Sequence, residues 1–171
     1  MKSTPALLVV LVLAGCASMS ASGPRAAAQI KPTRGNGVSG TATFTQMGDK
    51  VLVEAEIKGL TPGLHGIHIH EKGDCSAPDA TSAGGHFNPA GKPHGGPEGA
   101  ERHAGDLGNL IADSYGTAIL KVTVGGISIV KDTPNSVIGR SLIVDADPDD
   151  YKTQPTGNSG KRVACAIIGG N

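Results

Sequence analysis

The chain has few aromatic side chains and no net charge. Its 171 residues include no tryptophan, two tyrosines and two phenylalanines, and the formal net charge at pH 7 is zero. A core with so few aromatic residues must be mainly aliphatic, and the lack of a basic run argues against nucleic-acid binding. The 26 glycines and 11 prolines predict many turns and loops. The length suits one domain, and the composition favours short strands over long helices.

Long hydrophobic runs are also absent, except at the N-terminus. Lys2 precedes an apolar run from Ala6 to Ala14, which is too short to span a bilayer but has the right length for the core of a signal peptide. The run ends in Leu13-Ala14-Gly15-Cys16, which resembles the lipobox of bacterial lipoproteins, where the cysteine is acylated and becomes the first mature residue. We therefore predict a lipoprotein signal peptide over residues 1–15. The alternative is an ordinary signal peptide in which Cys16 falls by chance.

The predicted destination is the cell envelope. A lipid on Cys16 would hold the chain at a membrane, facing the periplasm, and the alanine at position 17 favours the outer membrane if the host is Gram-negative. Residues 16–28 are rich in Ala, Ser and Gly and show no periodicity, so we predict a lipidated cysteine followed by a flexible tether. Residues 29–171 then form the folded domain.

The chain has three cysteines. If Cys16 carries lipid, Cys75 and Cys165 remain as an even pair in an oxidising compartment, where a structural disulfide is expected and free thiols are not. Closing a loop of about 90 residues contributes roughly 4 to 5 kcal/mol in the chain-entropy account of disulfide stabilisation.

Period-two alternation of apolar and polar residues predicts a series of strands. They fall at residues 38–45, 51–58, 64–70, 109–112, 117–124, 141–145 and 162–168. The turn at Gly48-Asp49 joins the first two as a hairpin. Two segments without periodicity, 71–105 and 146–161, are long loops, which are usually functional in a compact domain. Roughly eight short strands, seven of them identified by alternation, and two long loops predict an all-β, eight-stranded Greek-key barrel or sandwich of immunoglobulin-like architecture.

All six histidines lie between positions 65 and 103. His68 and His70 stand at i and i+2 of one strand, so both leave the same face while Ile67 and Ile69 enter the core. The first long loop and its end add more candidate ligands, each close to a glycine or proline: His86, His94, His103 and Asp106. Imidazole suits copper and zinc, and three histidines with one carboxylate can form a tetrahedral zinc site. Scattered surface histidines are the alternative, which their concentration argues against.

At these residues the chain resembles the copper/zinc superoxide dismutases. The segments at 66–75 and 160–165 are similar to the copper-site and C-terminal signatures of that family, and three segments between them resemble its zinc loop. The resemblance extends over about residues 30–169. It implies an antioxidant oxidoreductase that converts two superoxide ions and two protons into dioxygen and hydrogen peroxide, with copper and zinc as cofactors. It also allows a homodimer.

The resemblance implies a role for each matching residue. Copper would be bound by His68, His70 and His86, and zinc by His86, His94, His103 and Asp106. Asp149 matches a carboxylate that links a copper-site histidine to a zinc-site histidine. Arg162 matches the guanidinium that attracts and orients superoxide, and His86 is the bridge that takes up a proton. Cys75 and Cys165 match the family disulfide, while His65 matches a structural histidine.

One position departs from the family pattern. Asp145 stands where the family has its fourth copper ligand, a histidine, and no histidine follows His103. Asp145 could still ligate copper, but an anionic oxygen donor favours Cu(II) over Cu(I) and repels an approaching anion. The alternative function is therefore a zinc-binding, dismutase-like envelope lipoprotein with weak or no dismutase activity. The same change occurs in the dismutase-like domain of some copper chaperones, but the chain lacks their additional cysteine motifs, so a chaperone role is a remote third hypothesis.

Overall fold

The computed structural model describes residues 23–170, which form an antiparallel β-structure. Its strands are β1 (Arg25–Pro32), β2 (Ser39–Met47), β3 (Lys50–Lys58), β4 (Gly63–His70), β5 (Asp106–Ala112), β6 (Ala118–Gly125), β7 (Ser141–Asp145), β8 (Arg162–Ile167) and the short β9 (Gly169–Gly170). A single 3-10 turn, Thr81–Ala83, lies in the first long loop. The predicted signal peptide and Cys16 lie outside the described residues. No helix within 23–170 has the length and apolar character needed to cross a membrane.

The strands form one sheet that nearly closes on itself. Their order is β5-β4-β7-β8-β1-β2-β3-β6, with β9 beside β1, and the two end strands β5 and β6 pack against each other. β1 connects the two halves of the sheet, because it pairs with β2 through Ile30 and with β8 at Lys31 and Pro32. This confirms the predicted all-β, eight-stranded Greek-key barrel.

The first strand begins within the segment that the sequence predicts as a tether. Residues Arg25 to Ala28 belong to β1, so the folded domain begins before residue 29. Ala26, Ala28 and Ile30 are buried and alternate with exposed residues. This alternation could not be recognised in the sequence, because alanine occupies both buried and exposed positions of β1 and is only weakly hydrophobic.

The hairpin of β2 and β3 follows the predicted alternation. Its turn contains Gly48 at a φ of 63°, a left-handed conformation that glycine adopts without strain. Four apolar side chains of β3 enter the core: Val51, Val53, Ala55 and Ile57. Phe44 of β2 is fully buried with them, so most of the hydrophobic core is aliphatic, as the composition predicts.

Both long loops lie over the strand that carries His68 and His70. In β4, Ile67 and Ile69 face the barrel core and are fully buried, yet His68 and His70 on the opposite face are buried as well. The loops that cover them run between β4 and β5 and between β7 and β8, at the predicted bounds. The predicted disulfide is confirmed, since Cys75 of the first loop is bonded to Cys165 of β8. The loops therefore enclose a polar site on the outside of the barrel.

Candidate metal centre

Four buried side chains converge in a cluster that fits zinc. Their ligand atoms all lie within 4.8 Å of one another, and the residues are His86, His94, His103 and Asp106. The Nδ1 atoms of His86 and His103 are 3.4 Å apart, and Asp106 Oδ1 lies 2.8 Å from His86 Nδ1. Two ligands of a tetrahedral zinc ion with bonds of about 2.0 to 2.1 Å are separated by roughly 3.3 Å. The spacing of the cluster therefore matches a zinc shell.

A buried nitrogen of His94 supports this assignment. His94 Nδ1 is 3.1 Å from Asp106 Oδ2, which is within ion-pair distance, but the two atoms are not aligned for a hydrogen bond. A buried polar atom without a hydrogen bond is costly unless something else binds it. A metal ion shared by His94 and Asp106 would satisfy it.

Backbone and amide contacts fix the zinc cluster. Asp106 Oδ2 accepts hydrogen bonds from the backbone N–H groups of His103 at 2.9 Å and Gly95 at 3.1 Å. The side chain of Gln154 accepts from the backbone N–H of His94 at 2.8 Å and donates to the His94 carbonyl at 3.0 Å. Gln154 belongs to the second long loop, and no motif in the sequence pointed to it.

The second cluster lies on the copper side of the predicted centre. The ligand atoms of His68, His70 and His86 also lie within 4.8 Å of one another, so His86 belongs to both clusters. His70 Nδ1 donates to the Gly84 carbonyl at 2.9 Å, while its Nε2 is buried and has no hydrogen-bond partner. This unpaired nitrogen is the sign that the copper-side cluster, too, is built to hold a ligand.

Asp149 connects the two clusters. Its Oδ2 is 2.8 Å from His68 Nε2 and its Oδ1 is 2.8 Å from His94 Nε2, the arrangement that the resemblance implies. Asn109 of β5 holds Asp149 in place, donating to its carbonyl at 2.9 Å and accepting from its N–H at 2.8 Å. Nothing in the sequence indicated that Asn109 would bind the backbone of Asp149.

Asp145 lies beside the copper-side cluster without being a member of it. Its Oδ2 is 2.8 Å from His68 Nδ1 and 3.1 Å from the hydroxyl of Ser159. It is not in the group of atoms that lie within 4.8 Å of one another. Ligands of one ion with bonds of about 2.0 to 2.2 Å cannot be farther apart than roughly 4.4 Å. In this arrangement Asp145 therefore contacts a ligand rather than completing the set.

Arg162 stands at the start of β8, opposite Asp145 in the strand register. Its guanidinium donates to the Ala80 carbonyl at 2.6 Å and to the Gly84 carbonyl at 2.7 Å. The Gly84 carbonyl also accepts from His70, so one backbone group joins the arginine to the copper-side cluster. The result is a fixed, half-buried positive group next to that cluster. His65, by contrast, contacts the Asp145 and Thr61 carbonyls and belongs to neither cluster.

Two histidines are held neutral near pH 7. Burial, followed by the nearby His86 ring, lowers the pKa of His70 to about 2. Burial also lowers the pKa of His86 to about 4, although its hydrogen bond to Asp106 opposes the effect. Metal ligands must be deprotonated, and these two side chains already are.

The pKa is raised, not lowered, for His68 and His94, the two histidines that Asp149 connects. Burial alone would lower the pKa of His68 and of His94, but carboxylate partners outweigh it and raise each pKa to about 9. For His68 the partners are Asp145 and Asp149, and for His94 they are Asp106 and Asp149. Burial works to raise the pKa of Asp106 and of Asp149, yet their histidine contacts hold both well below the usual range.

A nearly closed antiparallel barrel that carries two adjacent buried histidine clusters, sharing His86, defines a β-barrel metalloprotein with a two-metal centre. Comparison with known proteins specifies the family. The model of the copper/zinc superoxide dismutases matches residues 38–168. Cu-Zn superoxide dismutase 2 of Brassica juncea is 49% identical over 140 residues, which covers 78% of this chain and 90% of that relative. The chain belongs to the copper/zinc superoxide dismutase family, whose activity is superoxide dismutation with copper and zinc as cofactors.

Proposed function

We propose that the chain works as a superoxide dismutase through the centre built around His86. The observation that carries this proposal is that His86 belongs to two buried clusters at once. Zinc would be held by His86, His94, His103 and Asp106, and copper by His68, His70 and His86. The overall reaction takes two superoxide ions and two protons to dioxygen and hydrogen peroxide.

Copper, when bound, supplies the one-electron chemistry, and the side chains of the chain do the rest. Arg162 offers a fixed positive fork near the copper-side cluster, which attracts and orients an anion. His86 has its Nδ1 against Asp106, so Nε2 is the atom at which it holds and releases a proton. Asp149 orients both clusters because it contacts His68 and His94, and outer partners of this kind fix the tautomer of a ligand.

The test is to load the mature domain with copper and zinc and to measure metal content and superoxide turnover on the same samples. We expect turnover that depends on bound copper and is lost in His86→Gln. His65→Gln is the matched control, because His65 is also buried but lies outside both clusters. Copper-loaded protein without turnover would contradict the proposal.

A second candidate is a zinc-binding, dismutase-like protein with weak or no dismutase activity. The contact between Asp145 and His68 Nδ1 at 2.8 Å favours it, because it occupies a nitrogen that copper needs. Full zinc binding together with little turnover per bound copper would identify this second function.

We further propose that the protein is a lipoprotein of the cell envelope, anchored through Cys16 and facing the periplasm. The lipobox-like sequence before Cys16 supports this proposal, and the disulfide is consistent with an oxidising compartment. Cys16→Ser should move the mature chain from the membrane fraction to the soluble fraction. Continued membrane association of the variant would count against the anchor.

A homodimer is proposed on the resemblance to the family. Leu64 and Ile111 stand opposite each other on β4 and β5, and with exposed fractions of 44% and 72% they offer apolar surface for an interface. Analytical ultracentrifugation of the mature domain measures the association directly. A monomer at all accessible concentrations would remove the proposal.

A further inference from the structure

Ser159, in the loop between β7 and β8, contacts the side chain that departs from the family pattern. It is buried, and its hydroxyl lies 3.1 Å from Asp145 Oδ2 and 3.1 Å from the Thr156 carbonyl. A hydroxyl has one proton to donate, and a hydrogen bond to a carboxylate is stronger than one to a neutral carbonyl. Asp145 is therefore the preferred acceptor.

The other donor to Asp145 Oδ2 is His68 Nδ1. That nitrogen is also the atom that His68 has left for copper, because its Nε2 is engaged by Asp149. When His68 turns Nδ1 to a metal ion, it can no longer donate to Asp145. Among residues 23–170, the Ser159 hydroxyl is then the remaining hydrogen-bond donor to Asp145 Oδ2.

The three groups pack around a glycine. A Cβ on Gly66 would lie 2.9 Å from His68 Cε1, 2.9 Å from Ser159 Cβ and 3.3 Å from Asp145 Oδ2. A side chain at position 66 would force these neighbours apart. Its absence allows the serine to approach the carboxylate, and the tight fit limits the orientations that Asp145 can adopt.

We propose that Ser159 is a positioning residue that keeps the Asp145 carboxylate out of the copper-side cluster, so that copper is bound by the three imidazoles alone. The proposal rests on the proposed function, in which copper occupies the cluster of His68, His70 and His86. It explains why Asp145 stands outside the group of atoms within 4.8 Å although it lies on the strand next to His68.

Loss of the hydroxyl should change the copper ligands. In Ser159→Ala the carboxylate of Asp145 stays buried, at 3% exposure, but loses a donor, and a buried carboxylate without donors is costly. Cu(II) in the copper-side cluster would offer a compensating charge, and an oxygen ligand is suitable for it. The site then changes from three nitrogen ligands to three nitrogens and one oxygen.

The experiment compares electron paramagnetic resonance spectra of Cu(II) in the copper- and zinc-loaded mature domain. We expect Asp145→Asn to leave the spectrum of the native protein unchanged, Ser159→Ala to shift it towards a mixed nitrogen and oxygen set, and the double variant to return to the native spectrum. Ser141→Ala is the matched control, because Ser141 is a buried serine whose hydroxyl donates to the Lys72 carbonyl. It should cause no shift.

Two results would overturn the proposal. One is a Ser159→Ala spectrum identical to the native one at equal copper loading, and the other is a loss of oxygen ligation in Asp145→Asn alone. If Ser159→Ala fails to fold by circular dichroism, Ser159→Cys replaces it, because a thiol is a weaker donor of similar size.

Superoxide turnover of the same samples separates the two proposals. The expected spectra without turnover would refute the dismutase function and leave the role of Ser159 intact. Turnover with an unshifted Ser159→Ala spectrum would refute only the role of Ser159. A native protein that takes up zinc but no copper would overturn both.

Discussion

At the scale of single residues, the ring of His68 is held by a carboxylate on each side. Its Nδ1 is 2.8 Å from Asp145 and its Nε2 is 2.8 Å from Asp149, so both ring nitrogens are engaged by carboxylates. Copper can bind His68 only by replacing the contact with Asp145. The departure from the family pattern thus affects two ligand positions, its own and that of His68.

Replacing Asp145 with histidine should therefore raise dismutase activity. Asp145→His supplies a neutral fourth imidazole, removes a negative charge from the approach of the substrate and frees His68 Nδ1. If the change lowers the limiting barrier by about 1.4 kcal/mol, turnover per bound copper rises about tenfold. Both proteins must be compared at full copper loading, because a change in affinity could imitate a change in rate. Equal activity per copper would show that Asp145 does not limit the reaction.

Zinc binding should release a proton from His94 at pH 7. Its pKa of about 9 lies above its usual value of 6.5, because Asp106 and Asp149 outweigh burial, so zinc-free protein is protonated there at neutral pH. A ligand must lose its proton, so we expect about one proton released per zinc and an affinity that rises with pH up to about 9.

Calorimetry in buffers of different ionisation enthalpy measures the number of protons. Asp149→Asn provides the comparison, because it removes one of the two carboxylates that raise the pKa of His94, and fewer protons should be released from it at the same pH. Zinc uptake without proton release between pH 6.5 and 9 would contradict the assignment.

Single residues also mark the limit of what the sequence can predict. The clustering of the zinc-side residues followed from their types, their spacing and the glycines and prolines around them. The contact between Asp145 and Ser159 could not be predicted, because it joins a strand to a loop without periodicity. The backbone clamp formed by Gln154 has no sequence signature for the same reason.

At the scale of elements, the second long loop supports His94, the proposed zinc ligand, through Gln154. Removing the Gln154 amide in Gln154→Ala should lower zinc affinity by about tenfold or more, as the loss of an outer partner typically does. Competition with a chromophoric chelator measures the affinity. Gln29→Ala is the matched control, because its exposed amide also donates to a backbone carbonyl, that of Gly40 in β2, and neither residue belongs to the metal clusters. Equal affinity in both variants would show that the clamp does not support the ligand.

The strands differ in how well they could be predicted. β3 differs from its predicted bounds by one residue, because its buried residues alternate clearly with more exposed ones. β7 begins and ends where the sequence places it, because a run of three large apolar residues lies between Ser141 and Asp145. β1 was assigned in part to a tether, since its inward residues include Ala26 and Ala28. β5 begins at Asp106, three residues before the predicted start, because Asp106 and Gly108 lack the apolar pattern of a strand.

At the scale of the whole molecule, the zinc-side cluster and the disulfide connect the same loop to the barrel. The first loop carries three of the four residues of that cluster and is bonded to β8 through Cys75 and Cys165. A ligand present at about 1,000 times its Kd stabilises the folded state by about 4 kcal/mol.

Removal of zinc should accordingly lower the melting temperature by about 10 °C or more for a domain of this size. Differential scanning calorimetry before and after chelation, with zinc added back as the control, measures the change. Chelated protein that melts at the original temperature would exclude a structural role for the zinc-side cluster.

The start of β1 at Arg25 has a consequence for where the enzyme can work. If Cys16 carries lipid as proposed, eight residues separate the anchor from Arg25, the first residue of β1, and even a fully extended chain from Cys16 to Arg25 spans only about 30 Å. The barrel is then confined to a thin layer of fluid next to the bilayer, about as deep as one small domain. Such an enzyme would intercept superoxide as it leaves or approaches the membrane surface, and would contribute little to clearing it from the bulk of the compartment.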